Sequence, residues 1–525
     1  MPATRNSRRL PSFDFLLVVV LLAVLSAGAA TWVFRRGWTL YYGDAEAHLN
    51  IARRILDSRT PGYYQIGTVW LPLPHLLMLP LAGHNKLWRT GLAGVVPVTL
   101  GYVLGGALFY LAVRQTLGSR PAAAAALALV ALNPNLLYLQ SAPMTEPIFF
   151  AALSAVFYFT ARYRRTQSGG ALAGTSLAVL CATLTRYEGW FLAPFVALYV
   201  AVASKRGRWG RAALVAAVGS LGPGYWLAHN RIWWGDWLEF YRGPYSAKAI
   251  YARALEAGMA PYPGDHDWAK ASLYFRSAVE LCTGRPLFWF GLAGLAAAVW
   301  RRAFWPIALL ALPPIFYVLS IHSGGTPIFV PHLWPYSYYN TRYGLAALPL
   351  AAFAAGCLVA GVPARIRTPG AWAVAVVCVG SWLLRPLPDS VITWKESQVN
   401  SEARRAWTRQ AAEFLGAHYR TGTGILHSFG DLSGVFRQAG IPLRESLHEG
   451  NRPHWDAALA RPDLFLWEEW ALAISGDPVA DTLWRRQRSG PYYECVRTIT
   501  VKGAPVIHIF KRRTGAIRPP AGLVP

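Results

Sequence analysis

Apolar runs separated by short polar turns recur along this chain. They occupy residues 15–34, 89–113, 121–139, 147–163, 171–184, 190–203, 212–228, 286–300, 304–321, 343–362 and 371–384. A membrane-spanning helix needs ~20 predominantly apolar residues, so the pattern predicts a polytopic α-helical membrane protein with about eleven spans. One more apolar stretch, 69–82, is shorter and contains Pro72, Pro74, His75 and Pro80. Past residue 385 the pattern changes. Residues 401–419 suit an amphipathic helix, GILHSF and DLFLW suit buried strands, and YYECVRTITVKGAPVIHIF suits a hairpin turning at Lys502-Gly503. This divides the chain into a membrane domain, 1–385, and a soluble α/β domain, 386–525.

Composition agrees with the pattern. Of 525 residues 54% are hydrophobic and only 15% charged, where a soluble protein carries about a quarter charged residues. The net charge of +25 would suit nucleic acid, but the basic residues sit in short clusters between apolar runs, as cytoplasmic loops do, and nucleic acid is set aside. Cys181, Cys282, Cys357, Cys378 and Cys495 show no metal-ligand spacing, and three lie inside apolar runs. They read as small core residues rather than a disulfide framework or a zinc site. Ser7-Arg8-Arg9, with Ala27-Gly28-Ala29-Ala30 downstream, has features of a signal peptide. The apolar run between them is long enough to span, so it reads as a retained first helix.

Charge also sets the topology. If 69–82 does not cross, then Arg114 with Arg120, RYRR at 162–165, KRGRWGR at 205–211, Arg301-Arg302 and RIR at 365–367 all share the cytoplasmic side with the N-terminal arginines. If it crosses, all of them face outward. The positive-inside rule favours the first arrangement. It makes 69–82 an outer-face re-entrant or interfacial element and leaves the N-terminus cytoplasmic. The loop 35–88, the turn 140–146, TRYEGW at 185–190, a long Trp-rich loop 229–285, residues 322–342 and the tail then face outward, in the plasma (inner) membrane. No internal repeat, paired broken helices, glycine-rich phosphate loop or room for an ATPase domain is evident among the links.

The outer face holds the candidate chemistry. Asp44 precedes an amphipathic helix, 45–56, whose Leu49, Ala52, Ile55 and Leu56 form one apolar face. One reading makes Asp44 the N-cap of that helix. Glu146 lies in APMTEPIFF before a helix-starting proline, Arg186 and Glu188 lie in TRYEGW, and Arg342 opens a late span. Singly each reads as a membrane-boundary anchor. Four outer turns, each with a carboxylate or an arginine, together suggest one site near the outer leaflet. Such a mixture suits transfer of a sugar from a polyprenyl phosphate. Arginines neutralise the leaving phosphate, and a carboxylate takes the proton of an acceptor hydroxyl attacking the anomeric carbon from the opposite face. That displacement inverts the anomeric centre. Trp70, Trp190 and the tryptophans of IWWGDW at 232–237 have ring faces suited to sugars, although an interfacial aromatic belt explains them equally well.

The order of motifs GDAEAHLNIARRIL, GTVWLPLPHLLMLPL, MTEP, TRYEGW and TRYGLAALPLAA resembles the GT-C superfamily of integral membrane glycosyltransferases. Within it, the branch with protein O-mannosyltransferases and lipid A aminoarabinose transferases is the most similar. The resemblance covers roughly residues 15–384 and rests on the order of degenerate motifs. It implies a polyprenyl-phosphate-linked donor, inverting transfer on the outer face and an acidic first-loop residue as catalytic group, which matches Asp44. Many relatives carry adjacent Asp-Glu there; here Ala45 intervenes and the glutamate is Glu46. Pro72 and Pro74 resemble a proline-rich element before the second span of the family, and Arg342 resembles a basic residue near the donor phosphate.

The expected catalytic residues are therefore Asp44 and Glu146, and the donor phosphate is assigned to Arg53, Arg186 and Arg342, with Arg54 beside them. Substrate contacts are assigned to Glu46, His48, Trp70, His75, Glu188 and Tyr343. Asp44 and Glu146 could share a divalent cation, Mg or Mn, through oxygen ligands, but nothing in the residues requires it. The partners implied are the lipid-linked donor, a lipid, glycan or protein acceptor, and membrane lipids. Mannose is one candidate sugar. A lipid-linked glycan flippase or other transporter is the alternative; it would place its charges at mid-membrane depth and have little use for a large outer domain. A third reading, an assembly protein working through its tail, finds no support in the scattered His427, Asp431, Asp456 and Glu468.

Overall fold

The computed structural model describes residues 13–384, 390–485 and 492–513. The N-terminal arginine cluster and the division at residue 385 lie outside them. In chain order the helices are α1 (Phe13–Arg35), α2 (Gly43–Leu56), α3 (Leu73–Ala82), α4 (Asn85–Thr90), α5 (Leu92–Leu117), α6 (Arg120–Ala131), α7 (Pro134–Leu139) and α8 (Glu146–Thr166). They continue with α9 (Gly169–Thr185), α10 (Tyr187–Ala203), α11 (Arg208–Trp234), α12 (Glu239–Arg242), α13 (Ala247–Glu256), α14 (Trp268–Thr283) and α15 (Arg285–Trp300). Then come α16 (Phe304–Ser323), α17 (Leu348–Gly361), α18 (Arg367–Leu383) and α19 (Ile392–His418).

Every apolar segment expected to span is helical. The segment 121–139 is broken into α6 and α7 because Asn133 caps α7, accepting from the Asn135 and Leu136 amides, with Pro134 at the first helical position. Among the described residues, five helical segments are each long and apolar enough to cross a membrane: Asp14–Arg35, Leu92–Leu117, Phe304–Ser323, Thr341–Gly361 and Ala364–Leu383. The pair α14 and α15, bent by 111° at Gly284, makes a sixth if counted as one span. The Trp-rich stretch 229–285, expected as a loop, instead contains α12, α13 and α14.

The chain forms two compact units, Met1–Trp38 with Pro97–Glu396, and Thr39–Val96 with Ser397–Pro525. Compactness thus groups the first loop with the tail, a pairing that the division at residue 385 did not include. In the first unit, two close helix approaches depend on glycine. A Cβ on Gly189 would stand 2.2 Å from the Ala182 carbonyl oxygen of α9, and one on Gly344 would stand 2.3 Å from the Ala278 carbonyl oxygen of α14. These are the glycines of TRYEGW and TRYG. Gly344→Ala is expected to cost about 1–3 kcal/mol through overpacking, read as a lower midpoint of thermal unfolding in detergent; an unchanged midpoint would contradict the packing.

In the second unit a five-stranded sheet runs β1 (Ile425–His427), β2 (Ser446–Leu447), β3 (Trp470–Ile474), β4 (Tyr493–Ile499) and β5 (Ile507–Arg512). Its spatial order is β2-β1-β3-β5-β4, with β1 parallel to β2 and β3, and β5 antiparallel to β3 and β4. The expected hairpin is β4–β5, turning through Lys502-Gly503, where Gly503 has φ +79°. DLFLW is not a strand. Pro462 starts a short helix, Pro462–Phe465, at the favoured first position, and the strand follows as WALAI. The helix expected over 401–419 begins earlier, at Ile392.

On β1, His427 is fully buried, its ring tilted against that of Phe436 with centroids 4.5 Å apart. Burial pushes its pKa down to about 3. A base whose folded pKa is depressed is neutral when buried, so its stabilisation is complete above pH ~6.5 and is lost as pH falls from there toward 3. Thermal melts between pH 7 and 4 should therefore show falling stability, with a shallower slope in His427→Phe. Equal slopes would contradict the assignment.

Candidate active site

The first unit brings Glu146, Arg186, Glu188, Arg342 and Tyr343 together. Glu146 is the first residue of α8, Arg186 joins α9 to α10, Glu188 lies in the first turn of α10, and Arg342 and Tyr343 lie in the 3-10 segment Thr341–Ala347. One oxygen of Glu146 is 3.3 Å from Arg186 Nη1 and 3.1 Å from Arg342 Nε. The two Thr-Arg-Tyr motifs thus direct their arginines to the same carboxylate. Arg186 also donates to Glu188 at 2.8 Å, to the Thr145 hydroxyl at 2.6 Å and to the Tyr317 hydroxyl at 2.7 Å. Tyr317 in turn donates to Glu188 and stacks on Tyr343, with ring centroids 4.6 Å apart.

Arg342 has a second carboxylate, which sequence reasoning missed. Glu396, in the second turn of α19, accepts from Arg342 Nη1 at 3.2 Å and from its backbone amide at 3.2 Å. Only 1% of Glu396 is exposed. A lone glutamate near the start of an amphipathic helix gives no sequence signal of this role. Beside the cluster lies a cavity of about 50 Å³, walled by Phe149, Phe150, Tyr343 and Pro349 among others. Three carboxylates face two arginines, so the cluster balances its own charge to within one unit and keeps both guanidiniums fixed in direction.

The second unit holds the remaining candidates. α2 begins at Gly43, so Asp44 is not the N-cap: Tyr42 is, and no side chain caps the helix. Asp44 sits inside the first turn, half-buried, where a carboxylate still suits the helix dipole. Glu46, expected among the substrate contacts, is buried in ion pairs with Arg404 at 2.9 Å and Arg437 at 2.8 Å. Burial works against its charge, but the two guanidiniums outweigh it and hold the carboxyl below the usual carboxylate range.

Arg53, expected at the donor phosphate, is a brace. It donates to Asp57 at 2.8 Å, to the carbonyls of Ala82 and Gly83 at 2.9 and 2.7 Å and to Asn85 at 2.6 Å, lying over the Trp88 ring. Arg54 donates to the Gln65 carbonyl and lies over Phe429. His48 and His75 share a hydrogen bond of 2.9 Å between α2 and α3, with the half-buried Trp70 ring 4.6 Å from His48. Burial, and then the neighbouring His48, push the His75 pKa well down, which favours its neutral form. The face of α2 expected to be apolar is buried at Leu49, Ala52 and Ile55, while Leu56 stays 49% exposed.

One tail residue joins the α2 N-terminus. Asp431 lies against Gly43, its Oδ1 4.0 Å from where a Cβ there would stand. Solvent reaches Asp431, yet the protein packed round its carboxyl raises its pKa, with Arg404 opposing and Glu46 and Asp44 adding. Among the described residues no group of three or more His, Cys, Asp or Glu is set to hold a metal ion.

Comparison with known proteins adds to this geometry. Residues 81–222 match the family model of dolichyl-phosphate-mannose-protein mannosyltransferases. The structure superposes on ArnT from Cupriavidus metallidurans bound to undecaprenyl phosphate with a TM-score of 0.58, at 14% identity over 95% of this chain and 98% of that one. The chain has a GT-C fold. ArnT in the apo state superposes almost as well, with a TM-score of 0.57 at 14% identity over 94% and 98% of the two chains. A looser match is the apo oligosaccharyltransferase of Archaeoglobus fulgidus, TM-score 0.46, 12% identity over 88% and 70%. No curated protein matches the sequence. The resemblance to membrane glycosyltransferases thus rests on sequence over 81–222 and on fold over nearly the whole length.

Proposed function

We propose that this chain moves a sugar, mannose among the candidates, from a polyprenyl-phosphate-linked donor to an acceptor hydroxyl on the outer face of the plasma membrane, inverting the anomeric centre. The observation that carries the reading is the convergence of two Thr-Arg-Tyr arginines on Glu146 at the boundary ends of apolar helices, in a fold shared with a protein that binds undecaprenyl phosphate.

The chemistry follows from charge. The acceptor oxygen forms the new bond to the anomeric carbon, the bond from that carbon to the phosphate oxygen breaks, and its electron pair leaves with the phosphate. Arg186 and Arg342 stabilise that growing negative charge, which is greatest in the transition state. Glu146 keeps the two guanidiniums oriented before the donor arrives. Asp44 takes the acceptor's proton. The Tyr343 ring lies against both guanidiniums, and Glu188 holds Arg186.

The test is of donor and side together. A cysteine at the exposed position Lys86 or Arg409 should react with a membrane-impermeant thiol reagent outside intact cells. Sealed right-side-out vesicles should transfer sugar from an added polyprenyl-phosphate hexose and not from a nucleotide sugar. Labelling only after permeabilisation, or transfer from the nucleotide sugar alone, would overturn the reading.

A further inference from the structure

At the other end of the same helices lies a pocket of opposite electrostatic character. It has a volume of about 450 Å³ and is lined by Arg164, Arg165, Arg301 and Arg302, with Tyr199 and Trp305 in its wall. Arg164 and Arg165 close α8, whose first residue is Glu146. With 21 residues in α8, the pocket and Glu146 stand about 30 Å apart along the helix axis, roughly one bilayer core. The Tyr199 and Trp305 rings stack face to face, with centroids 3.8 Å apart and planes 6° apart.

The arginines at the two ends are held differently. Around Glu146 both arginines are paired with carboxylates. In the basic pocket no lining residue is acidic, and none of the four arginines forms an ion pair with a carboxylate among the described residues. Arg301 is held instead by backbone oxygens, donating to Ala360 at 3.2 Å and Leu117 at 3.5 Å at the ends of α17 and α5. Such bonds aim the guanidinium without neutralising it. Four uncompensated charges gathered at a helix-end pocket repel one another, and an anionic ligand relieves that repulsion.

We infer that this pocket is a binding site for the phosphate headgroup of an anionic phospholipid from the cytoplasmic leaflet. The arginine fork suits phosphate oxygens, basic pockets between helix ends on that face attract anionic headgroups, and the stacked Tyr199 and Trp305 suit the glycerol level of the interface. The two ligand sites then lie on opposite faces, one for a lipid that donates sugar and one for a lipid that stays.

The test uses the full chain purified into nanodiscs of phosphatidylcholine with or without phosphatidylglycerol, bound lipid being counted by native mass spectrometry. The side chains of Arg165 and Arg302 make no hydrogen bond to protein among the described residues and are exposed, so Arg165→Gln with Arg302→Asn should fold normally. Asparagine also tolerates the left-handed backbone at Arg302, φ +56°. Wild type should retain phosphatidylglycerol, and the double variant should retain it about tenfold or more weakly. A control triple variant in the nearby basic turn, Lys205→Gln, Arg206→Gln and Arg208→Gln, should retain it as wild type does. Equal retention by the double variant, or an equal loss in the control, would overturn the site. Displacement of the lipid by millimolar inorganic phosphate would overturn the lipid assignment in favour of a soluble phosphate.

Discussion

Asp44→Asn is expected to fold and bind donor as wild type does and to turn over about a hundredfold or more slowly. The structure makes this substitution clean. Asp44 is half-buried in the first turn of α2 and is not the residue that caps it, so the amide keeps the side chain's shape and weakens a helix-dipole interaction of about 0.3–1 kcal/mol. It also relieves repulsion toward Asp431, whose carboxyl Asp44 helps to raise. A helix-starting role therefore predicts an active enzyme, and a proton-accepting role predicts a stable one that does not turn over. Donor KM should stay near the wild-type value while kcat falls. Near-normal turnover in the purified variant would end the catalytic role of Asp44.

Arg342→Ala should remove both stability and donor use, and the two losses can be separated. The substitution takes the Arg342 guanidinium from the buried Glu396 and leaves Glu146 with Arg186 alone; losing one partner of a buried ion pair costs about 3–5 kcal/mol. Adding Glu396→Gln removes one stranded charge, so the double variant should regain much of the folded yield and none of the donor use. Arg342→Lys keeps the charge but not the planar fork and should recover donor use only in part. Glu146→Gln, which still accepts from both arginines, should be milder than Asp44→Asn. If the double variant used donor like wild type, Arg342 would be a structural anchor alone.

The membrane helices were legible because a bilayer demands apolar length, and length is written in the sequence. The hairpin at Lys502-Gly503 was legible from alternation and a glycine turn. What escaped was whatever depended on partners distant in the chain. Glu46 and Arg53 carry the same charges whether they face a substrate or brace a corner, and only Arg404, Arg437 and Asp57, folded against them, decide the matter. The start of α2 was misplaced because Asp44 is a good cap on local grounds, while packing of Ala45, Leu49 and Ala52 lets the helix begin at Gly43. Arg186 and Arg342 stood out as charges at the outer ends of apolar runs, but their common tie to Glu146, which for Arg342 spans 196 residues, was not legible.

The most direct measurement follows the leaving group. Purified wild-type chain, given a polyprenyl-phosphate-linked hexose and an acceptor extract from membranes, should release polyprenyl phosphate in step with sugar transfer. NMR of the new glycoside should show the anomeric configuration inverted from that of the donor. Transfer with retained configuration would contradict the single displacement, and absence of polyprenyl phosphate release from any such donor would contradict the account as a whole.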